Sequence, residues 1–231
     1  MCVSPSVLRR SIGDYLAPAK KQIVLGKGTC NGVDTVNHFN PAIIDQTKVA
    51  TLRAKYGIKE GDFVIGYSGR LVRDKGIIEL VRAFDQLQDA DNCKLLLVGM
   101  CEVRDALPED LQERIKNDKR IIFTGFINGG MEYYYLLMNV YVLASYREGF
   151  PTGVLEAQAM EKPIITTRVT GCSDSIIDGQ TGLFADIDPD DLVEKIDMIR
   201  KENVIDGRNG RKWVVENFDS RLVWKEIEKL Y

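Results

Sequence analysis

The sequence has little of what several common kinds of functional site require. It contains a single histidine, His38, so a multi-histidine metal centre and a pair of catalytic histidines are excluded. We interpret His38, which lies in a polar loop, as a bystander. The five cysteines are scattered and include no C-x-x-C pair, which argues against a zinc site or a disulfide framework. This pattern is typical of a reducing cytoplasm, where we expect the protein to reside.

Charge of one sign and long apolar runs are also scarce. The formal net charge is −3, so electrostatics gives no reason to expect nucleic acid as a partner. No apolar run is long enough to span a bilayer, and no secretory signal is visible. With 231 residues, 45% of them hydrophobic, the chain has room for one substantial core, or for one domain and part of another.

What the sequence does have is a regular alternation of apolar strands and amphipathic helices from Asp62 onward. Short apolar runs predict strands at 63–68, 94–99, 120–124, 139–145, 163–167 and 182–184. We therefore predict an α/β fold: a Rossmann-like parallel sheet of about six strands with helices on both faces. Before this core, we predict a helix at 3–16, a short strand at 22–25 and a glycine-rich turn at 26–34; a helix at 218–231 closes the chain.

Two carboxylates, Glu148 and Glu156, stand eight positions apart where the fourth predicted strand gives way to a helix. Glu148 lies on the loop, and Glu156 lies more than a turn into the helix, which Pro151 suits as its start. Gly149 and Gly153 let a ligand approach the backbone, and the helix N-terminus offers free N–H groups to an anion. Such carboxylates suit neutral donors such as sugar hydroxyls. The alternative is that both are solvated surface charges.

The residues that follow the predicted strands are informative because ligands of an open parallel sheet bind beyond the carboxyl ends of its strands. Arg70 and Lys75 follow the first strand. With Asp74 as the N-cap, Lys75 lies in the first helical turn, where a cation opposes the helix dipole by up to about 1 kcal/mol. An anion held by Arg70, Lys75 and the helix end would explain this placement; solvated surface charges are the alternative. Phe126, after the third strand, could edge a nucleobase or pack on its own loop. The tyrosines at 133–135 receive no binding role.

Five motifs occur in order: 69–76, 97–99, 123–126, 148–157 and 179–184. Together they resemble the C-terminal, donor-binding domain of retaining family 4 glycosyltransferases, which have the GT-B fold. The best-known mark of that family is a pair of glutamates with seven residues between them, here Glu148 and Glu156.

The resemblance implies roles for individual residues. Arg70 and Lys75 would neutralise the donor diphosphate and stabilise its leaving charge, and Glu148 would bind hydroxyls of the donor sugar; these three form the implied catalytic set. Glu156 would hold the ribose hydroxyls, and no metal or other cofactor is expected. The implied donor-binding positions are Gly69, Gly99, Gly125, Phe126, Ile127, Gly149, Phe150, Pro151, Thr152 and Glu156.

The resemblance also divides the chain. Residues 1–40 would be the tail of an N-terminal acceptor domain plus the inter-domain linker, 41–217 the nucleotide-sugar-binding domain, and 218–231 a C-terminal helix. Because the rest of the acceptor domain would be a missing partner, we expect poor transfer or none by this chain alone. Asp174 stands where the family usually has a glutamate, which leaves open its contacts to phosphate or sugar.

The implied function is transfer of a sugar, with retention, from a UDP- or GDP-sugar to a hydroxyl acceptor in capsule, lipopolysaccharide or similar polysaccharide biosynthesis. Peripheral membrane association of the full-length enzyme is a further expectation. Two alternatives stand beside it: a GT-B-shaped nucleotide-sugar epimerase or phosphorylase, and a non-catalytic module that binds a nucleotide sugar. The sequence does not choose among bases, sugars or acceptors.

Overall fold

The computed structural model describes residues 1–29, 31–88 and 90–230. Cys30, part of the predicted turn at 26–34, and Tyr231, the end of the predicted last helix, lie outside the described residues. No helix among the residues described is long and apolar enough to cross a membrane.

Six strands form one sheet in the order β3-β2-β1-β4-β5-β6, and every pairing is parallel. The strands are β1 Phe63–Ser68, β2 Cys93–Val98, β3 Ile121–Phe123, β4 Val140–Leu143, β5 Ile164–Thr167 and β6 Gly182–Ala185. The chain builds outward from β1 in one direction and then returns to add β4 on the other side. This reversal between β1 and β4 is the switch point at which doubly wound sheets bind ligands.

Helices pack on both faces of the sheet, as predicted. In the described part of the chain they are α1 Pro5–Gly13, α2 Gln46–Lys55, α3 Ile77–Gln86, α4 Glu109–Asn117, α5 Met131–Leu137, α6 Thr152–Ala159, α7 Pro189–Asp197, α8 Gly207–Phe218 and α9 Ser220–Glu228. Helix α3 packs against α7, and α6 packs against α8. The layers explain why the central strands are apolar without alternation: Leu95, Leu96 and Leu97 of β2 are all fully buried.

The predicted strand at 22–25 is wrong. Leu25 is buried, but Ile23 is 44% exposed, and its carbonyl accepts a single main-chain bond from Cys2. Within the described residues no strand runs alongside this segment, so its remaining backbone groups have no ladder to join.

The predicted last helix begins later than 218. Phe218 ends α8, and Asp219 leaves the helical conformation, with a ψ of 133°, before α9 starts at Ser220. The Asp219 carboxylate accepts a hydrogen bond from the backbone N–H of Arg221, which caps α9 and separates it from α8. Helix α8 itself is an element that our sequence analysis did not predict.

Candidate functional site

The loops after β1, β2 and β3 meet at the carboxyl edge of the sheet. The N–H of Gly99 donates to the carbonyl of Gly125 at 3.1 Å. A Cβ on Gly99 would lie 1.8 Å from the carbonyl oxygen of Gly69, so the backbones of the two loops leave no space for a side chain at this position. Gly99 also has a φ of +143°, which other residues rarely adopt. These contacts explain the glycines at the strand ends and form the floor of a cleft.

The cleft has a volume of about 490 Å³ and lies between these loops and the start of α6. The predicted site residues that line it are Gly69, Arg70, Gly99, Phe126, Ile127, Thr152 and Glu156. Phe126 lies at the edge of the cleft and is 72% exposed, whereas Ile127 packs against the core. An exposed ring at the edge of a cleft provides a surface on which a planar group can lie.

Lys75 and Glu148 form an ion pair, and neither residue lines this cleft: Glu148 borders a separate cleft together with residues of α1 and Thr170. The Lys75 Nζ donates to Glu148 Oε1 at 2.7 Å, and each side chain is only 15% exposed. The pair joins the loop after β1 to the loop after β4, across the switch point of the sheet.

The predicted capping of α3 by Asp74 is wrong. Residues Arg73–Lys75 form a short 3-10 turn, and Gly76 takes the N-cap position with a φ of +68°. A Cβ on Gly76 would lie 2.0 Å from the carbonyl oxygen of Ala144, so this position also requires glycine. Lys75 therefore precedes the helix, and the Asp74 carboxylate pairs instead with Arg147 at 3.1 Å.

Three of the four predicted charged residues act on two buried tyrosines, Tyr67 and Tyr141. Burial raises the pKa of Tyr141, and the charges of Glu156 and Glu148 raise it further. Burial likewise raises the pKa of Tyr67, with Glu148 raising and Arg70 lowering it. Arg70, Glu148 and Glu156 therefore lie within electrostatic range of this pair of tyrosines, although Glu148 borders a different cleft from the one lined by Arg70 and Glu156.

Most residues of the Gly149–Thr152 loop lie outside the main cleft. Gly149 and Phe150 border a smaller cleft, and Thr152 lines both clefts; the other residues of the smaller cleft are Val3, Thr29, Asn31 and Gly32. The ring of Phe150 packs against that of Phe218 at 5.5 Å between centroids. Pro151 is buried at the N-cap position of α6, so Thr152 begins the helix. The structure thus separates Gly149, Phe150 and Pro151 from the main cleft.

Glu156 accepts a hydrogen bond from Tyr135, a residue to which the sequence assigned no binding role. The hydroxyl of Tyr135 donates to Glu156 Oε2 at 2.8 Å, and the Ser68 hydroxyl lies 3.1 Å from that of Tyr135. Burial raises the pKa of Glu156, and the bond from Tyr135 opposes this rise. Apolar spacing along α5 could have placed Tyr135 in the core, but no sequence signal names the partner of its hydroxyl.

His38 is more than the bystander that we predicted. Its Nε2 lies 2.7 Å from Glu132 Oε2, and Glu132 is buried with 8% exposure. The ring also packs against that of Phe39 in a tilted arrangement, with centroids 4.4 Å apart, and Phe39 contacts the Tyr135 ring. His38 therefore ties the segment before α2 to α5, next to the residues that support Glu156.

Asp174 has a structural contact that the sequence did not indicate. Its Oδ2 accepts a hydrogen bond from the backbone N–H of Ser6 at 2.8 Å, in the first turn of α1. The Ser6 hydroxyl in turn accepts from the N–H of Gly171 at 2.8 Å. A carboxylate at a helix N-terminus satisfies a free N–H and complements the helix dipole, so Asp174 anchors α1 to the loop after β5.

Replacing Asp174 with alanine is therefore expected to destabilise the fold by about 1 kcal/mol, or about 2–4 °C in Tm. Asp14→Ala is the matched control, because Asp14 makes an exposed pair with Arg10 on the same helix. Thermal unfolding followed by circular dichroism measures both. Equal shifts for the two variants would contradict the anchoring role.

A doubly wound parallel sheet with a charged cleft at its switch point defines a Rossmann-like domain of the kind that binds nucleotides. The chain belongs to the Glycosyl transferases group 1 family, whose sequence profile matches residues 48–213. It is 35% identical, over all of its length, to the capsular polysaccharide biosynthesis glycosyltransferase CapM of Staphylococcus aureus. It spans 60% of the length of CapM.

Solved structures confirm the predicted fold. Anabaena HepE, crystallised in complex with UDP and glucose, superposes with a TM-score of 0.85 over 99% of this chain and 61% of HepE, at 19% identity. The C-terminal domain of LpcC, a glycosyl transferase group 1 family protein of Francisella tularensis, gives a TM-score of 0.66 at 26% identity. That superposition covers 80% of this chain and 97% of the LpcC domain.

Proposed function

We propose that this chain is the donor-binding, C-terminal part of a retaining family 4 glycosyltransferase and binds a nucleotide diphosphate sugar at the switch point. The observation that carries this proposal is the switch-point cleft lined by Arg70 and Glu156, together with the Lys75–Glu148 ion pair that joins the loops after β1 and β4 across the same switch point. Two cations and two carboxylates near the switch point match the two chemistries of the donor. Its diphosphate is anionic, and its sugar and ribose offer hydroxyl donors.

In this proposal Arg70 and Lys75 contact the diphosphate and stabilise the charge that develops as the glycosidic bond breaks. Glu148 accepts hydrogen bonds from the donor sugar while its ion pair orients the Lys75 ammonium. Glu156 accepts from the ribose, and the exposed ring of Phe126 lies along the base. The charge stabilisation comes from side chains, so we propose neither a metal nor another cofactor.

Transfer itself is proposed for a longer protein. This chain spans 60% of CapM and 61% of HepE. We propose that residues 1–40 are the tail of an acceptor domain and its linker. This chain covers 97% of the LpcC C-terminal domain, which supports the proposal that it contains a donor half. We propose 41–217 as the bounds of that half. With CapM as a relative, we propose a cytoplasmic enzyme of capsule or related polysaccharide biosynthesis, associated peripherally with the membrane through its full-length form.

Calorimetric titration of the folded chain with UDP and with GDP tests the binding step. We expect one of them to bind the wild type and Arg70→Ala to weaken that binding by at least about tenfold, because a charge-assisted contact is lost. Binding of neither nucleotide to folded wild type would contradict the proposal. Product analysis after incubation with the nucleotide sugar, with and without acceptor, then separates transfer from epimerisation.

Replacing Glu102 is expected to strengthen nucleotide binding, the opposite of the effect expected for Arg70→Ala. Its carboxylate lies 3.2 Å from Arg70 Nη1 and lines the same cleft, so it competes with a diphosphate for that guanidinium. Glu102→Gln is expected to tighten binding of the nucleoside diphosphate about three- to tenfold, since an exposed pair contributes at most about 1 kcal/mol and a nearby repulsive charge is removed. The gain should vanish in the Arg70→Ala background. Unchanged or weaker binding by Glu102→Gln would show that Glu102 does not oppose the diphosphate.

A further inference from the structure

A chain of hydroxyl groups runs beneath the cleft and ends on Glu156. Tyr135 and Tyr141 are fully buried, and their hydroxyls flank the hydroxyl of Ser68 at 3.1 and 3.3 Å. The Tyr135 hydroxyl continues to Glu156 Oε2 at 2.8 Å. Buried hydroxyls need partners, and here the last partner is a carboxylate at the edge of the cleft.

The direction of these hydrogen bonds follows from counting protons. Tyr135 has one hydroxyl proton, and a carboxylate can only accept, so that proton goes to Glu156. The proton of Tyr141 is directed to the main-chain carbonyl of Ser68 at 3.2 Å. The Ser68 hydroxyl is then free to donate to Tyr135. Donors that point the same way strengthen one another in a dry site, so the chain fixes one orientation of the carboxylate.

The packing around these hydroxyls leaves no spare room. A Cβ on Gly153, in the first turn of α6, would lie 2.7 Å from the Tyr141 hydroxyl and 3.5 Å from that of Tyr135. The helix that carries Glu156 therefore sits directly against the hydroxyl groups. Any rotation of the Glu156 side chain away from Tyr135 would leave a buried hydroxyl without its acceptor.

The orientation of Glu156 leaves its second oxygen for a ligand. In the described part of the chain, Oε2 receives the Tyr135 hydroxyl, no bond reaches Oε1, and Glu156 lines the main cleft. We propose that Tyr135 is a positioning residue that orients Glu156 toward the vicinal hydroxyls of a ribonucleoside and so sets a preference for ribose over deoxyribose. This inference rests on the proposed binding of ribose by Glu156, and it adds Tyr135 and Ser68 to that site.

The test compares ligands as well as variants. Dissociation constants are measured for UDP and 2′,3′-dideoxy-UDP, and for the guanosine pair, with wild type, Tyr135→Phe and Tyr134→Phe. Tyr134 is the matched control because it is a buried tyrosine on the same helix whose hydroxyl bonds Tyr56 instead, at 3.3 Å. Wild type should prefer the ribonucleotide by about tenfold or more, as expected for hydrogen bonds to a charged acceptor.

Tyr135→Phe should reduce this preference at least about threefold, while Tyr134→Phe retains it. A structural role alone would weaken both ligands equally, so a preference that Tyr135→Phe leaves intact overturns the proposal. If wild type binds both ligands equally, the ribose contact of Glu156 is wrong and the inference fails with it. Should Tyr135→Phe not fold, Ser68→Ala removes the preceding donor and must lower the same preference; a preference that it leaves unchanged counts against the hydroxyl chain.

Discussion

Replacing Lys75 with methionine is expected to weaken the binding of UDP or GDP by about 100-fold or more. The Lys75 side chain is 15% exposed and lies at the switch point, where the ammonium would meet the diphosphate with little screening by water. Methionine keeps much of the side-chain volume and removes the charge. Binding of uridine, which has no phosphate, should change little. Comparing the loss of affinity for UDP with the loss for uridine therefore isolates the phosphate contact.

Two controls sharpen this experiment. Lys195→Met removes a lysine of similar exposure, 21%, that pairs with Asp191 on α7, and it should bind like wild type. The double variant Lys75→Met with Glu148→Gln removes the unpaired carboxylate that the single variant leaves behind. If the double variant regains wild-type affinity for UDP, Lys75 serves only to neutralise Glu148 and does not contact the diphosphate.

The second large effect concerns stability. Gly99→Ala is expected to destabilise the fold by about 3 kcal/mol or more, because its Cβ would lie 1.8 Å from the carbonyl oxygen of Gly69. The neighbouring atom is backbone, so no side chain can rotate to relieve the contact. The φ of +143° adds strain for any residue with a Cβ. Urea unfolding should show a lower midpoint or no folded baseline.

Gly129→Ala is the matched control for this variant. Gly129 also has a positive φ, +84°, but its added Cβ would meet no atom within 4 Å. We expect a loss of about 1 kcal/mol from backbone strain alone. Equal losses for the two alanine variants would mean that the loops after β1 and β2 do not approach as closely as described.

The sheet could be predicted from sequence because parallel strands buried on both faces are continuous apolar runs. The placement of Glu148 on a loop and Glu156 inside a helix followed from the strand before them and Pro151 after Glu148. Gln22 to Leu25 has a similar apolar run, and there the prediction failed. A strand needs a neighbour, and local composition does not tell whether one is present.

The supporting contacts of the site could not be predicted because they join distant parts of the chain. Asp174 and Ser6 are 168 positions apart, and Tyr135 meets Glu156 from another helix. His38 illustrates the same point, since nothing around it in sequence indicates Glu132 as its partner. The position of Lys75 before α3 depends on the backbone of Gly76 against Ala144, which is again a tertiary contact.

The most direct test of the central claim is a crystal structure of this chain grown with UDP or GDP, whichever binds. We predict the diphosphate in contact with Arg70 and Lys75, the ribose on Glu156 and the base beside Phe126. Nucleotide found instead in the groove between Lys27 and α9, with the switch-point cleft empty, would contradict it.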